Sequence, residues 1–70
     1  MKLLDKVFVC PDMQTQQDTV FIRDALDEIP GIEAIDIDLR AHSVHVTCAG
    51  ERPEAEVRAM LSRVGFPPRD

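Results

Sequence analysis

The fold is decided by a stretch in the middle of the chain, which reads IDIDLRAHSVHVTC and runs from residue 35 to residue 48. Apolar and polar residues alternate strictly in Ile35–Leu39 and again in Val44–Cys48. Alternation of this kind is typical of strands that bury one face and expose the other. The polar residues Arg40–Ser43 lie between the two runs. The stretch therefore predicts an antiparallel hairpin with one buried face.

The polar residues of the hairpin predict its exposed face. If inward Leu39 pairs with inward Val44, Asp38 lies opposite His45 on that face, and Asp36 lies beside them. A cross-strand pair of opposite charge contributes roughly 0.2 to 1 kcal/mol. Nothing in the sequence builds a pocket around the two carboxylates, so we interpret them as a solvated sheet face and not as paired groups for acid–base catalysis.

The residues on either side of the hairpin predict one strand and two helices. Leu4–Cys10 is rich in Val and Phe and stops before Pro11, as strands do, although its inward face is ambiguous. Apolar residues recur at helical spacing from Gln16 to Ile29 and again from Pro53 to Gly65. Proline suits the first position of a helix. The repeated apolar positions are Ile22, Ala25, Leu26 and Ile29 in the first helix, and Val57, Met60, Leu61 and Val64 in the second.

The order of the elements predicts an α+β domain with the ferredoxin-like βαββαβ topology, in which two helices pack on one face of an antiparallel sheet. The two prolines in Phe66–Asp70 leave the fourth strand short or absent. The edge of the first strand would then be unpaired, and an unpaired edge is a template for another chain. Self-association follows as an expectation.

Composition limits the classes of function. The chain has 70 residues and a net charge of -5, which predicts a single domain over residues 1–70 and disfavours nucleic acid as a partner. The longest apolar run, Val7–Cys10, is far too short for membrane insertion. No signal-peptide pattern begins the chain, and Cys10 and Cys48 form no CxxC motif. We expect a cytoplasmic protein with reduced thiols.

Short motifs are spread along the chain: Asp12-Met13, Ala25-Leu26, Pro30-Gly31-Ile32 and Gly65-Phe66. With these motifs the chain resembles the heavy-metal-associated domain over nearly its whole length. That family includes small copper chaperones, mercury-binding proteins and the amino-terminal modules of metal-transporting ATPases. Its pattern contains a GMxCxxC loop, an Ala-Leu pair, a Pro-Gly-Val turn and a final Gly-Phe or Gly-Tyr. The matching positions here are Asp12-Met13, Ile22, Ala25-Leu26, Pro30-Gly31-Ile32, Ile35–Leu39 and Gly65-Phe66.

The chain departs from the family pattern in the metal loop. Thr15 and Asp18 stand where the resemblance places the two cysteines, and Asp12 stands where it places the glycine. Soft ions such as Cu(I) prefer thiolate ligands, and both thiolates are replaced here. One hydroxyl and one carboxylate supply too few oxygen ligands for a calcium or magnesium site. We therefore predict that Met13, Thr15 and Asp18 do not bind metal, and we predict no cofactor.

Structural roles account for the same loop residues. Thr15 and Asp18 have the spacing of a capping box, in which the hydroxyl accepts from a first-turn amide and the carboxylate reaches back. A carboxylate also suits the positive end of a helix. Met13 is then expected to fill the core beneath the loop.

A relocated metal site is the alternative. Cys10 and His42 are expected at the same end of the domain, and together with a carboxylate they would suit Zn(II) or Cu(II). The competing interpretation is that Cys10 packs in the core as a small hydrophobe. One ion cannot collect the spaced series His42, His45 and Cys48, because His45 points to the other face of the strand. Cys48 is expected at the opposite end of the sheet from Cys10.

The first helix carries candidate partner contacts. Val20 falls nearly opposite the buried stripe and Phe21 at its border, at positions that are usually polar or basic in the chaperones of the family. They indicate contact with a partner protein or a second copy. An enzyme is not predicted: the acylphosphatases share the fold, but Pro11–Thr19 lacks the glycine and arginine of a phosphate-binding loop. A small-ligand regulatory module is a further alternative.

Overall fold

The computed structural model describes residues 3–69 without the side chain of residue 51, and these residues form three strands and two helices. Strand β1 spans Leu4–Val9 and helix α1 spans Gln16–Leu26. Strands β2 and β3 span Ile32–Asp38 and Ser43–Cys48, and helix α2 spans Glu51–Arg63. This order matches the order expected from the sequence.

The three strands form one antiparallel sheet in the order β1-β3-β2, with both helices packed on one face. Beyond α2, the described residues add a single bridge, in which Arg69 pairs with Val9 at the open edge of β1. The ferredoxin-like fold is confirmed, with a fourth strand that is short or absent. Within residues 3–69 neither helix has the length and apolar character needed to cross a bilayer.

The core lies between the sheet and the helices. β1 turns Phe8 toward the helices, and Cys10 just beyond the strand points the same way, which resolves the inward face that the sequence left open. The guanidinium carbon of Arg58 on α2 lies 5.2 Å from the centre of the Phe8 ring. The fully or almost fully buried apolar residues are Phe8, Cys10, Met13, Ile22, Leu26, Ile29, Val44, Val46, Cys48, Val57 and Leu61.

The register expected for the hairpin is wrong by two residues. His45 lies opposite Asp36, not Asp38, and Asp38 lies opposite Ser43. The physical reason is the position of the turn, which spans residues 39–42 and not 40–43. Both strands therefore meet the turn one residue earlier than expected, which shifts the pairing by two residues in total. His42 adopts a left-handed conformation with φ of 55°, and the Asp38 carboxylate accepts a hydrogen bond from the amide of Ala41 at 3.3 Å.

Two helix ends also differ from the expectation. α1 ends at Leu26, and Ile29 is buried through a turn in which its amide donates to the carbonyl of Leu26 at 3.0 Å. α2 begins at Glu51, so Pro53 is its third residue and not its first. Proline is tolerated there because the first-turn amides of a helix have no partner within the helix.

Gly31 and Pro53 form a close contact between the start of β2 and the start of α2. Gly31 has a φ of +93°, and a Cβ atom built on it would lie 2.7 Å from the Cγ of Pro53. We therefore expect Gly31→Ala to lower the free energy of unfolding by about 2 to 3 kcal/mol, through backbone strain and overpacking together. Urea unfolding followed by circular dichroism measures the change.

Gly65→Ala is the matched control for this substitution. Gly65 has a φ of +97°, but a Cβ atom there would meet nothing within 4 Å. Only backbone strain then applies, and we expect a loss of about 1 kcal/mol. Equal losses in the two variants would contradict the role given to Pro53.

Candidate functional site

The loop before α1 and the first turn of that helix, together residues 12–18, are held together by the side chains of Thr15 and Asp18. The Asp18 carboxylate oxygen Oδ2 accepts hydrogen bonds from the backbone amides of Gln14 at 3.0 Å and Thr15 at 3.1 Å. The Thr15 hydroxyl accepts from the Asp18 amide at 3.1 Å. These bonds form the capping box that the sequence predicts, with Thr15 as the N-cap residue of α1.

The same bonds favour the ionised form of Asp18. The amide of Gln14, above all, and then the amide of Thr15 hold the pKa of the Asp18 carboxyl below its usual range. The carboxylate also lies in the first turn of α1, where the helix dipole favours negative charge. The side chains of Thr15 and Asp18 therefore both interact with the backbone of this segment.

Met13 lies beneath this loop and contributes its backbone to it. Its side chain is fully buried in the core, the position that the sequence analysis gives it. Its amide donates to the carbonyl of Cys10 at 3.1 Å. Its carbonyl oxygen lies 2.6 Å from Nδ1 of His42. Met13 thus connects the end of β1 to the hairpin turn.

Cys10 and His42 are neighbours, as the relocated-site alternative requires. The amide of Cys10 donates to the carbonyl of His42 at 2.7 Å. The His42 ring is half-buried and directs Nδ1 at the Met13 carbonyl, which leaves Nε2 as its ligand atom for a metal. Cys10 is fully buried in the core cluster, which is also the position that core packing predicts.

Burial governs the chemistry of both thiols. It raises the pKa of Cys10, and the negative charge of Asp12 adds to that effect. Burial also raises the pKa of Cys48, with smaller contributions from Glu54 and Asp5. Both cysteines are free, and Cys48 pairs with Leu4 at the end of the sheet opposite Cys10. Among the side chains that the structure describes, which leave out that of residue 51, no three histidine, cysteine or carboxylate groups cluster in a way that could hold a metal ion.

The outer face of the sheet contains a polar network that the sequence analysis missed. The Asp5 carboxylate accepts a hydrogen bond from the Thr47 hydroxyl at 2.8 Å and lies 3.4 Å from Nε2 of His45. Asp36 flanks His45 on its other side. Asp5 could have been placed on this face from the pairing of β1 with β3. That pairing could not be used, because the sequence leaves the inward face of β1 ambiguous.

Val20 and Phe21 lie on the exposed side of α1. They are 46% and 49% exposed, respectively, which is high for large apolar side chains. The Phe21 ring lies 6.2 Å from the Phe66 ring in a tilted arrangement. A shallow cavity of about 330 Å³ adjoins Phe21, and its apolar wall includes Met60 and Val64. Phe21 therefore borders an open apolar surface, whereas Val20 lines a separate cavity together with Arg23 and Asp36.

Known structures share this fold. Oxidized MerP from Ralstonia metallidurans CH34 is similar with a TM-score of 0.86 and 13% identity, over 97% of this chain and 96% of that one. The CsoZ metallochaperone has a TM-score of 0.88 and 9% identity, over 99% of this chain and 100% of that one. A protein from work on crosstalk between Cu(I) and Zn(II) homeostasis has a TM-score of 0.78 and 16% identity, over 99% and 97%.

These similarities establish the fold and support the resemblance drawn from the sequence at that level. No family model matches the chain, and no curated protein matches it. At identities of 9 to 16%, the shared architecture does not carry the ligand residues of one protein over to another.

The capping box predicts a pH dependence of stability. Because the pKa of Asp18 is lower in the folded chain, its stabilising effect is present above the unfolded pKa of about 3.9 and is lost as the pH falls through the folded value. We expect Asp18→Asn to lower the melting temperature at pH 7, with the difference from the wild-type chain shrinking below about pH 4.

Asp24→Asn is the control, since it makes the same aspartate-to-asparagine change at an exposed position of α1. Thermal unfolding monitored by circular dichroism between pH 2 and pH 7 compares the three chains. A constant difference between wild-type and Asp18→Asn over this range would contradict the assignment of the carboxylate as the cap.

Proposed function

We propose that this chain is a metallochaperone-like binding module in which the loop before α1 no longer holds a soft metal ion, and that it acts through contact with a protein partner and not as an enzyme. The observation that carries the proposal is that Thr15 and Asp18 already form hydrogen bonds with backbone amides. Asp18 accepts from two backbone amides of the loop, and Thr15 accepts from the amide of Asp18. The fold that the chain shares with MerP and the CsoZ metallochaperone supports the metallochaperone-like part of the proposal.

Ligand chemistry supports the loss of the soft-metal site. Cu(I) is bound by soft sulfur donors, whereas the two side chains at the expected positions offer only oxygen. The sulfur nearest to them in sequence, that of Met13, is fully buried in the core. The hydrogen bonds of Thr15 and Asp18 hold the loop in shape without an ion.

The exposed apolar side chains of α1 support contact with a protein partner. Val20 and Phe21 are about half exposed, and Phe21 borders the shallow cavity next to α2. Exposed apolar patches of this kind mark interaction sites in small proteins. We place the module in the cytoplasm, with its cysteines reduced and buried.

A relocated site at Cys10 and His42 is the second candidate. The observation that favours it is the hydrogen bond from His42 Nδ1 to a backbone carbonyl, which is how metal-binding histidines are commonly oriented. The complete burial of Cys10 and its raised pKa stand against this candidate, because a cysteine binds a metal ion as the thiolate. Zn(II) or Cu(II) would be the ion.

Competition titration of Cu(I) against a chromophoric chelator tests the proposal. The fully reduced wild-type chain should take up no Cu(I) with submicromolar affinity, that is, with more than about 8 kcal/mol of binding free energy. Thr15→Cys combined with Asp18→Cys should bind one ion per chain at that affinity, because it restores two thiolates at the positions of the family's cysteines.

Thr15→Ser combined with Asp18→Ser is the matched control, since it differs from the cysteine variant only by oxygen in place of sulfur. It should not bind. Submicromolar binding by the wild-type chain that is lost in the serine variant would contradict the proposal. Binding by the wild-type chain that is lost in Cys10→Ser would favour the relocated site.

A further inference from the structure

The open edge of β2 presents backbone groups that have no partner in the sheet. The amide of Cys10 donates to the carbonyl of His42, so the even-numbered residues of β3 bond to β1 and the odd-numbered ones bond to β2. Their partners in the regular ladder of β2 are its even-numbered residues, which leaves the amides and carbonyls of Ile35 and Ile37 facing the open edge. No backbone group within residues 3–69 pairs with them. An edge of this kind is a template for an added strand.

Space for an added strand lies between this edge and α1. A cavity of about 510 Å³ follows the second half of β2, and its wall on α1 includes Val20 and Arg23. A smaller cavity of about 140 Å³ continues along the first half of β2 and also includes Arg23. Val20 is 46% exposed in this groove. An extended segment on the edge would therefore cover Val20 with the side chains that point toward α1.

β2 itself is acidic. It carries the carboxylates of Glu33, Asp36 and Asp38 and has no lysine or arginine. Asp36 and Asp38 alternate with isoleucines that pack against the core, so both point to the outer face of the sheet. Arg23 and Arg40 line the larger cavity with them, but no ion pair joins either arginine to these carboxylates in the part of the chain that the structure describes. The outer side of the edge therefore favours a cation from another molecule.

We propose that the open edge of β2 binds an extended segment of a partner protein, antiparallel to β2, with lysine or arginine at alternate positions. The residue opposite Asp36 lies in a non-hydrogen-bonded pair, where side chains are closest, so a cation there forms a cross-strand ion pair. A second cation two residues away meets Asp38. The residues between the cations face α1, where an apolar side chain covers Val20.

This mode of binding divides the work between backbone and side chains. Main-chain hydrogen bonds to Ile35 and Ile37 supply affinity, and the side chains at alternate positions supply specificity. The inference rests on the proposed function in so far as that assigns a protein partner, and it names the chemistry of the partner. It does not depend on the state of the metal loop.

Charge favours such a partner over a second copy of the chain. If β2 paired with itself so that Ile35 lay opposite Ile37, the two Asp36 side chains would lie directly opposite each other, and like charges in that position are destabilising. The net charge of -5 opposes the approach of a second copy as well. Charged residues on an edge strand are a common protection against self-association, and here the same charges attract a basic strand.

Two synthetic hexapeptides with blocked ends test the charge requirement. Thr-Lys-Val-Lys-Val-Thr places both lysines on one face of a strand, and Thr-Glu-Val-Glu-Val-Thr is its matched control. In an NMR titration at physiological ionic strength, we expect the lysine peptide to bind with a dissociation constant of roughly 0.5 mM and the glutamate peptide at least about tenfold more weakly. The amide signals of Ile35 and Ile37 should shift, and that of Val7 on the opposite edge of the sheet should not.

Asp36→Lys tests the site from the side of the protein. It should raise the dissociation constant of the lysine peptide at least about tenfold, because it replaces an ion pair by a like-charge pair. Asp24→Lys is the matched control, since it makes the same change in net charge at an exposed position of α1. Charges that lie beyond about 8 Å from the peptide are largely screened at this ionic strength, so the control should change the dissociation constant less than about twofold.

N-methylation of the peptide tests the backbone pairing and leaves the protein unchanged. The valine between the two lysines lies opposite Ile37 and directs its amide at β2, so methylation of that nitrogen should abolish measurable binding. Methylation of the amide of the second lysine is the matched control. That amide faces away from β2, and we expect the dissociation constant to rise less than about threefold.

The measurements separate this site from other forms of association. No binding of the lysine peptide, equal binding of both peptides, equal losses in Asp36→Lys and Asp24→Lys, or binding that survives methylation of the central valine would each overturn the proposal. Protection of the Ile35 and Ile37 amides by self-association of the chain alone would also overturn it. Neither Cu(I) nor the exposed Phe21 enters these measurements, so their failure is distinguishable from failure of the proposed function.

Discussion

The first turn of α1 needs acceptors for its backbone amides, and the loop before it is built around that requirement. Asp18 turns back to accept from Gln14 and Thr15, and Thr15 accepts from Asp18. A carboxylate at the start of a helix is also favoured by the helix dipole. Thr15 and Asp18 are therefore part of the secondary structure, and the loop keeps its shape through them.

The loop is coupled to the rest of the domain by a short series of backbone contacts. The amide of Met13 donates to Cys10, the amide of Cys10 donates to His42, and the His42 ring contacts the Met13 carbonyl. The end of β1, the loop and the hairpin turn therefore form one cluster. Its sulfur atoms, on Met13 and Cys10, both belong to the buried core. A thiolate-bound metal at this end of the domain would require Cys10, which the fold uses as a small hydrophobe.

Much of the fold could be predicted because it depends on local pattern. Strict alternation fixes which hairpin residues are buried, and the spacing of Thr15 and Asp18 suffices to predict the cap. The register could not be predicted, because it depends on a turn in which His42, a residue other than glycine, adopts a left-handed conformation. The contact of Asp5 with His45 was missed for a related reason, since it needs the pairing of strands that are distant in sequence.

The most direct test of the central claim is to follow the backbone amides of Gln14 and Thr15 by NMR, first during an acid titration and then during addition of Cu(I) to the reduced chain. If the Asp18 carboxylate caps α1, both amide signals shift with its ionisation at a pKa below the usual aspartate range. They then stay in place when Cu(I) is added at neutral pH. Amide signals that ignore the carboxylate, or that move and saturate at one equivalent of Cu(I), would contradict the account.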